Sequence, residues 1–245
     1  MTALTSSPRV LVLVNDAVAP VGRLDGWLRD AGADVVLLDA AHEPVPRQVP
    51  DGVSALIALG GTMSATSDDV APWLPAERAL LSDAVSREVP VLGVCLGAQL
   101  LGVALGGEVS RARPGEAGIT ELELTPAAGS DPILGGLTPG APVAQYHGDE
   151  VVGLPAGATV LAVTPGCATQ VWRAGPAAWA VQGHPEADDQ IFTRWASDDP
   201  RHARRCGIEP EAAIDDVLTR LAEVEKAWLP VVSAFVRLAA EASPG

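Results

Sequence analysis

The chain has 245 residues, enough for one large α/β domain or two small ones with a real core. Hydrophobic residues make up 48% and charged residues 19%, which argues against disorder. A formal net charge of −15 argues against a nucleic-acid backbone or an anionic membrane as partner.

The segment Met1 to Arg9 is short and polar and reads as no signal peptide. No apolar run approaches the roughly 20 residues that a membrane span needs. Val10–Val14 reads as a buried strand. Val21, Leu24, Trp27 and Leu28 then share one helical face, with Gly32 as C-cap. Strands follow at Val35–Leu38 and Ala55–Leu59, a helix over Ala76–Arg87, and a strand at Val89–Val94. This alternation predicts an open, mostly parallel sheet with helices on both faces. From about Gly115 the pattern predicts a β-rich extension of the same sheet, with strands at Thr120–Leu124, Thr159–Val163, Ala168–Arg173 and Ala178–Gln182.

Beyond Pro185 the chain reads as helical. Pro210 suits a first helical turn. Ile214, Val217, Leu218, Leu221, Val224 and Trp228 recur at helical spacing, and a last helix is expected over Val231–Ala240. The expected organisation is a domain over 1–190 with a helical extension over 191–245 packed on it. Trp195, Trp228 and Phe235 are expected to dock that extension.

Chemistry concentrates in three places. Gly93-Val-Cys95-Leu-Gly97 ends a buried strand and runs into the helical pattern Gln99–Leu105. Small glycines around a nucleophile permit the strained strand-to-helix turn that lifts a side chain above a sheet. The turn also sets the sulfur at a helix N-terminus, the positive end of the dipole. Gly183-His184-Pro-Glu186 follows another strand. A cysteine nucleophile needs a nearby base, and that base needs an acceptor on its other ring nitrogen. Leu59-Gly60-Gly61-Thr62-Met63-Ser64 also ends a strand, and its glycines let backbone N–H groups approach a ligand.

These three segments, in this order and spacing, resemble the signatures of the class I (triad-type) glutamine amidotransferases, with a flavour similar to the glutaminase domain of GMP synthase. The resemblance extends to Gln145-Tyr-His147-Gly-Asp149 and Glu116-Ala-Gly118 and spans roughly residues 10 to 190. It implies a flavodoxin-like fold and a catalytic set of Cys95, His184 and Glu186. It implies an oxyanion hole from Gly60, Gly61 and Leu96, with Gln99 and His147 at the substrate. The implied substrate is glutamine or a γ-glutamyl small molecule, with no metal and no cofactor. Ala98 stands where many relatives carry His. No synthetase domain follows, since residues 190–245 are too few to bind ATP and an acceptor and no phosphate-binding loop occurs.

Two activities fit one triad: a glutaminase that passes ammonia to a separate synthetase subunit, and a free-standing γ-glutamyl hydrolase. A silent regulator has no need of the full Cys–His–Glu set, and a cysteine hydrolase of the α/β-hydrolase type does not order its His and acid this way. The cysteines Cys95, Cys167 and Cys206 are odd in number and form no disulfide framework, which fits a cytoplasmic protein. Cys167 and Cys206 read as ordinary thiols. His42 and His202 read as exposed, and Arg201, Arg204 and Arg205 as a solvated face.

Overall fold

In the computed structural model, which describes residues 7–242, the apolar run Arg9–Val14 forms strand β1 between β2 (Asp34–Asp39) and β3 (Ala55–Ala58). The reading of residues 1–6 and the last three residues lie outside the described residues. β4 (Val91–Val94) pairs in parallel with β3 on one side and with β10 (Ala178–Val181) on the other. The eight-stranded sheet continues through β9 (Cys167–Ala174), β8 (Thr159–Thr164) and β6 (Glu123–Leu124), all antiparallel. Its order is β2-β1-β3-β4-β10-β9-β8-β6.

The alternation along β1 explains the two cores. Val10 and Val12 face one side, with Trp27 and Leu28 of helix α1 (Leu24–Asp30) in the same buried cluster. Leu11 and Leu13 face the other side, with Leu80 and Leu81 of α2 (Leu74–Ser86) and Leu100 and Leu101 of α3 (Leu96–Ala104). A strand with both faces covered has no polar positions to spare, and so its sequence is a continuous apolar run. Each such side chain fully buried contributes roughly 1.5–3 kcal/mol.

Two expectations need correction. The β-rich stretch is not all an extension of one sheet: β5 (Glu108–Glu121) and β7 (Pro142–Gly153) pair with each other as a separate two-stranded sheet. The expected strand 120–124 is therefore split, with its first part closing β5 and Glu123–Leu124 forming β6 on the main sheet. Leu122 lies between the two, and its N–H donates to Ala141 O at 3.0 Å.

The C-terminal pair of helices is also one. After α4 (Asp189–Asp198) and α5 (Pro200–Arg205), α6 runs unbroken from Pro210 to Ala242 with Pro230 inside it. A proline removes one intrahelical donor and crowds the carbonyl four residues back, which is why the sequence reads as a break. The apolar face overrides it: Val224, Trp228, Val231, Val232 and Phe235 continue across Pro230 in one buried cluster. Trp228 also donates its indole N–H to Pro142 O at 2.9 Å, tying α6 to β7. No helix among the described residues is long and apolar enough to cross a membrane.

Candidate active site

Cys95 stands one residue past the end of β4, with φ 50° and ψ −106°. A non-glycine residue there is strained by about 1–3 kcal/mol, which the surroundings must enforce. They do so through close packing of helix on sheet. A Cβ on Gly97 would lie 2.0 Å from Ala58 O, and one on Gly93 would lie 2.6 Å from Gly97 O. Only glycine lets α3 approach β3 and β4 this closely, and the approach forces the turn at Cys95. The Cys95 N–H donates to Val181 O at 2.8 Å, so the elbow is also stitched to β10.

β10 carries the partner. Val181 is in register with Val94, and the chain continues past it to His184, whose N–H donates to Ala144 O of β7 at 2.7 Å. His184 and Glu186 are both buried, and His184 Nδ1 lies 2.7 Å from Glu186 Oε1. The sequence places the two just past the end of a strand, with Pro185 between them. The structure puts them in a turn after β10 that brings the same two groups together. Burial works to lower the His184 pKa, but the charges of Cys95 and Glu186 and their hydrogen bonds outweigh it and push it up to about 10. A ring protonated on both nitrogens can bind sulfur on one side and carboxylate on the other. The indole of Trp195 lies against this imidazole, with ring centroids 4.4 Å apart.

Gly60 and Gly61 close the third side. A Cβ on Gly60 would stand 3.2 Å from His184 Cε1 and 3.8 Å from Cys95 Cβ; one on Gly61 would stand 2.8 Å from Leu96 Cδ2. Leu96 is the first residue of α3, where a backbone N–H has no acceptor within the helix. The structure thus brings together the sulfur, the imidazole and the three residues whose amides the resemblance assigned to an oxyanion.

Gln99 and His147 converge on one carbonyl. Gln99 Nε2 donates to Asp149 O at 2.9 Å, and His147 Nδ1 lies 3.1 Å from the same oxygen. His147 Nε2 lies 3.0 Å from Glu116 Oε2, and Glu116 also accepts from Thr164 and Gln170. Both residues line a cavity of about 310 Å³ whose wall includes Cys95, His184 and Gly61. Among the described residues, no group of three or more His, Cys, Asp and Glu could hold a metal ion.

Some of the lining was not foreseen. His202 was read as exposed, but it is only 4% exposed and lines the cavity, its Nε2 3.0 Å from Glu116 O. Burial lowers its pKa. The basic run around it misleads because α5 turns Arg201, Arg204 and Arg205 outward and His202 inward. Arg111 is the one guanidinium lining the cavity among the described residues, 3.3 Å from Asp149 Oδ1. Nothing in its local pattern marks it, because a register shift between Arg111 and Glu116 decides where it lands. His42 is exposed as expected, and Trp195, Trp228 and Phe235 are buried where the C-terminal helices pack.

Residues 27–194 match the glutamine amidotransferase class-I family. The chain is 31% identical over 182 residues to the glutamine amidotransferase-like protein YfeJ of Salmonella typhimurium, covering 73% of this chain and 75% of that one. It is 40% identical over 134 residues to a GMP synthase of Thermotoga sp., covering 55% of this chain but only 24% of that protein's length. A crystal structure of a Thermotoga maritima glutamine amidotransferase shares the fold with a TM-score of 0.81 at 23% identity, covering 94% of this chain and 98% of the other. With its strained cysteine, buried histidine–glutamate pair and glycine turn on one cavity, the chain belongs to the class I glutamine amidotransferases.

Proposed function

We propose that this enzyme hydrolyses the γ-amide of glutamine through a glutamyl thioester on Cys95 and releases ammonia to a separate synthetase. The observation that carries this reading is the continuous buried chain from Cys95 through His184 to Glu186 at the wall of one cavity.

His184, beside the sulfur and held by Glu186, takes the proton of Cys95 and leaves a thiolate next to an imidazolium. The thiolate attacks the γ-carbonyl carbon, and the N–H groups of Gly60, Gly61 and Leu96 receive the oxygen as it becomes an anion. His184 gives its proton to the departing nitrogen, which leaves as ammonia. The now neutral ring takes a proton from water as that water attacks the thioester, and glutamate leaves as the thiolate is restored. Glu186 holds the ring by Nδ1 throughout. Gln99 and His147 fix the Asp149 carbonyl and with it the wall that faces the amino-acid head. Arg111 supplies a cation for the α-carboxylate.

The test is glutamate release by the purified protein from glutamine and from a panel of γ-glutamyl amines and peptides, with Cys95→Ala alongside. Release from glutamine that vanishes in Cys95→Ala supports the proposal. A much faster Cys95-dependent release from a γ-glutamyl amine would make the protein a free-standing γ-glutamyl hydrolase. Activity that persists in Cys95→Ala would sink the mechanism.

A further inference from the structure

The Gly60–Gly61 turn is gripped at both ends by two consecutive residues that follow β1. Upstream, Asn15 Nδ2 donates to Leu59 O at 3.2 Å. Downstream, Asp16 Oδ2 accepts from Thr62 N at 3.2 Å and from Thr62 Oγ1 at 2.6 Å.

Asn15 is itself immobilised. It is 1% exposed, its Nδ2 also donates to Glu77 Oε1 at 3.1 Å, and its Oδ1 accepts from Trp73 Nε1 at 2.9 Å. Both amide protons and the carbonyl of its side chain are therefore used. Asp16 is braced too, since its Oδ1 accepts from Val18 N at 3.1 Å.

Peptide planarity converts these grips into an orientation. In a trans peptide the C=O of one residue and the N–H of the next point in opposite directions. Fixing Leu59 O thus fixes the direction of the Gly60 N–H, and fixing Thr62 N fixes the Gly61 carbonyl. The peptide between them carries the Gly61 N–H and is held between two anchored planes. Two glycines in sequence would otherwise sample many backbone conformations, so most of that freedom has been removed in advance. An oxyanion donor acts through such preorganisation, because it need not reorient as charge develops.

We infer that Asn15 and Asp16 are positioning residues that hold the Gly60–Gly61 amides toward the oxyanion. The inference rests on the reading of those amides given above. Neither residue touches the reacting atoms, and the pair acts through Leu59 and Thr62.

The test compares two reactions of Cys95. Thioester formation from glutamine passes through an oxyanion, whereas alkylation by iodoacetamide is a displacement at carbon that forms none. Asp16→Ala, at a partly exposed position, and Asn15→Leu are measured for kcat, KM and alkylation rate. Removing one oxyanion donor outright lowers kcat by about 10²–10³, so loosening one is expected to lower it about 10- to 100-fold. KM and the alkylation rate stay within about twofold of the parent in Asp16→Ala, and Asp16→Asn recovers part of the loss.

An unchanged kcat in Asp16→Ala overturns the inference, and so does a parallel fall in alkylation, which would place the defect at the sulfur. If the parent protein releases no glutamate, the substrate reading fails separately. The burst of p-nitrophenol from p-nitrophenyl acetate then reports the same oxyanion: a burst slowed in Asp16→Ala upholds the positioning role, and an unchanged one overturns it.

Discussion

Glu77 is completely buried in α2, and its only side-chain hydrogen bond among the described residues runs from Asn15 to Oε1, leaving Oε2 without a partner. Burial pushes its pKa from 4.5 up to about 7, against the opposing pull of Asn15 and of the Arg78 charge. A carboxyl raised in the folded state stabilises the fold most below its unfolded value, where both states are protonated. That contribution is lost as pH rises through the folded value. Each pKa unit is worth about 1.4 kcal/mol, so a rise from 4.5 to about 7 corresponds to about 3 kcal/mol lost between pH 4.5 and 8. Glu77→Gln keeps the shape and the acceptor for Asn15 but cannot ionise. Urea unfolding of both proteins across this range should therefore show the variant gaining about 3 kcal/mol on the parent as pH rises. Any constant offset, such as that of the new buried amide N–H₂, drops out of the trend. A stability difference that stays flat within about 0.5 kcal/mol from pH 4.5 to 8 would refute the assignment of a neutral buried carboxyl.

Two further outcomes follow from the packing and charge of the site. In Gly97→Ala the new Cβ must meet Ala58 O, which lies 2.0 Å from its ideal position, so α3 has to lift from the sheet. The cost is about 3 kcal/mol, at the upper end for overpacking, and thermal unfolding should show a Tm lower by about 5 °C or more. An unchanged Tm would contradict the close approach. Arg111→Gln should raise KM for glutamine about tenfold with little change in kcat, and should leave hydrolysis of 4-aminobutanamide, which lacks the α-carboxylate, unaffected. Equal losses on both amides would show that Arg111 does not read the carboxylate.

The parts of the site that sequence made legible are local in the chain. Gly93–Gly97 announces a strained elbow because both glycines sit at fixed offsets from Cys95, and Gly183–Glu186 carries base and acceptor two residues apart. The parallel half of the sheet was legible because strands covered on both faces leave uninterrupted apolar runs such as Val10–Val14. What was missed depends on distant pairing. The first part of β5, Glu-Val-Ser-Arg-Ala-Arg-Pro-Gly, has no clean alternation and pairs irregularly with β7, so neither its separate sheet nor the position of Arg111 could be read. His202 sits among arginines that face outward, and only the docking of α5 against β5 turns it inward. Pro230 argued for a helix break that the apolar face around it overrules.

The long last helix also has a consequence for how this enzyme can be divided. At 33 residues α6 is about 50 Å long. Its first half is tied to the small sheet: Asp216 accepts from Ile119 N at 2.9 Å, and Arg220 pairs with Glu121 at 3.1 Å. Its second half is buried in the same apolar core as residues of β1 and β3 of the large sheet. One rod therefore acts as a splint across two sheets, and the cavity opens where those sheets meet. No residue of α6 lines that cavity, and the family match ends at residue 194, before the helix starts. The chemistry and the alignment of its walls are thus written in separate stretches of chain. A chimera that exchanged residues 27–194 for those of a relative would inherit the reacting groups but would need a matching splint to bring them into line.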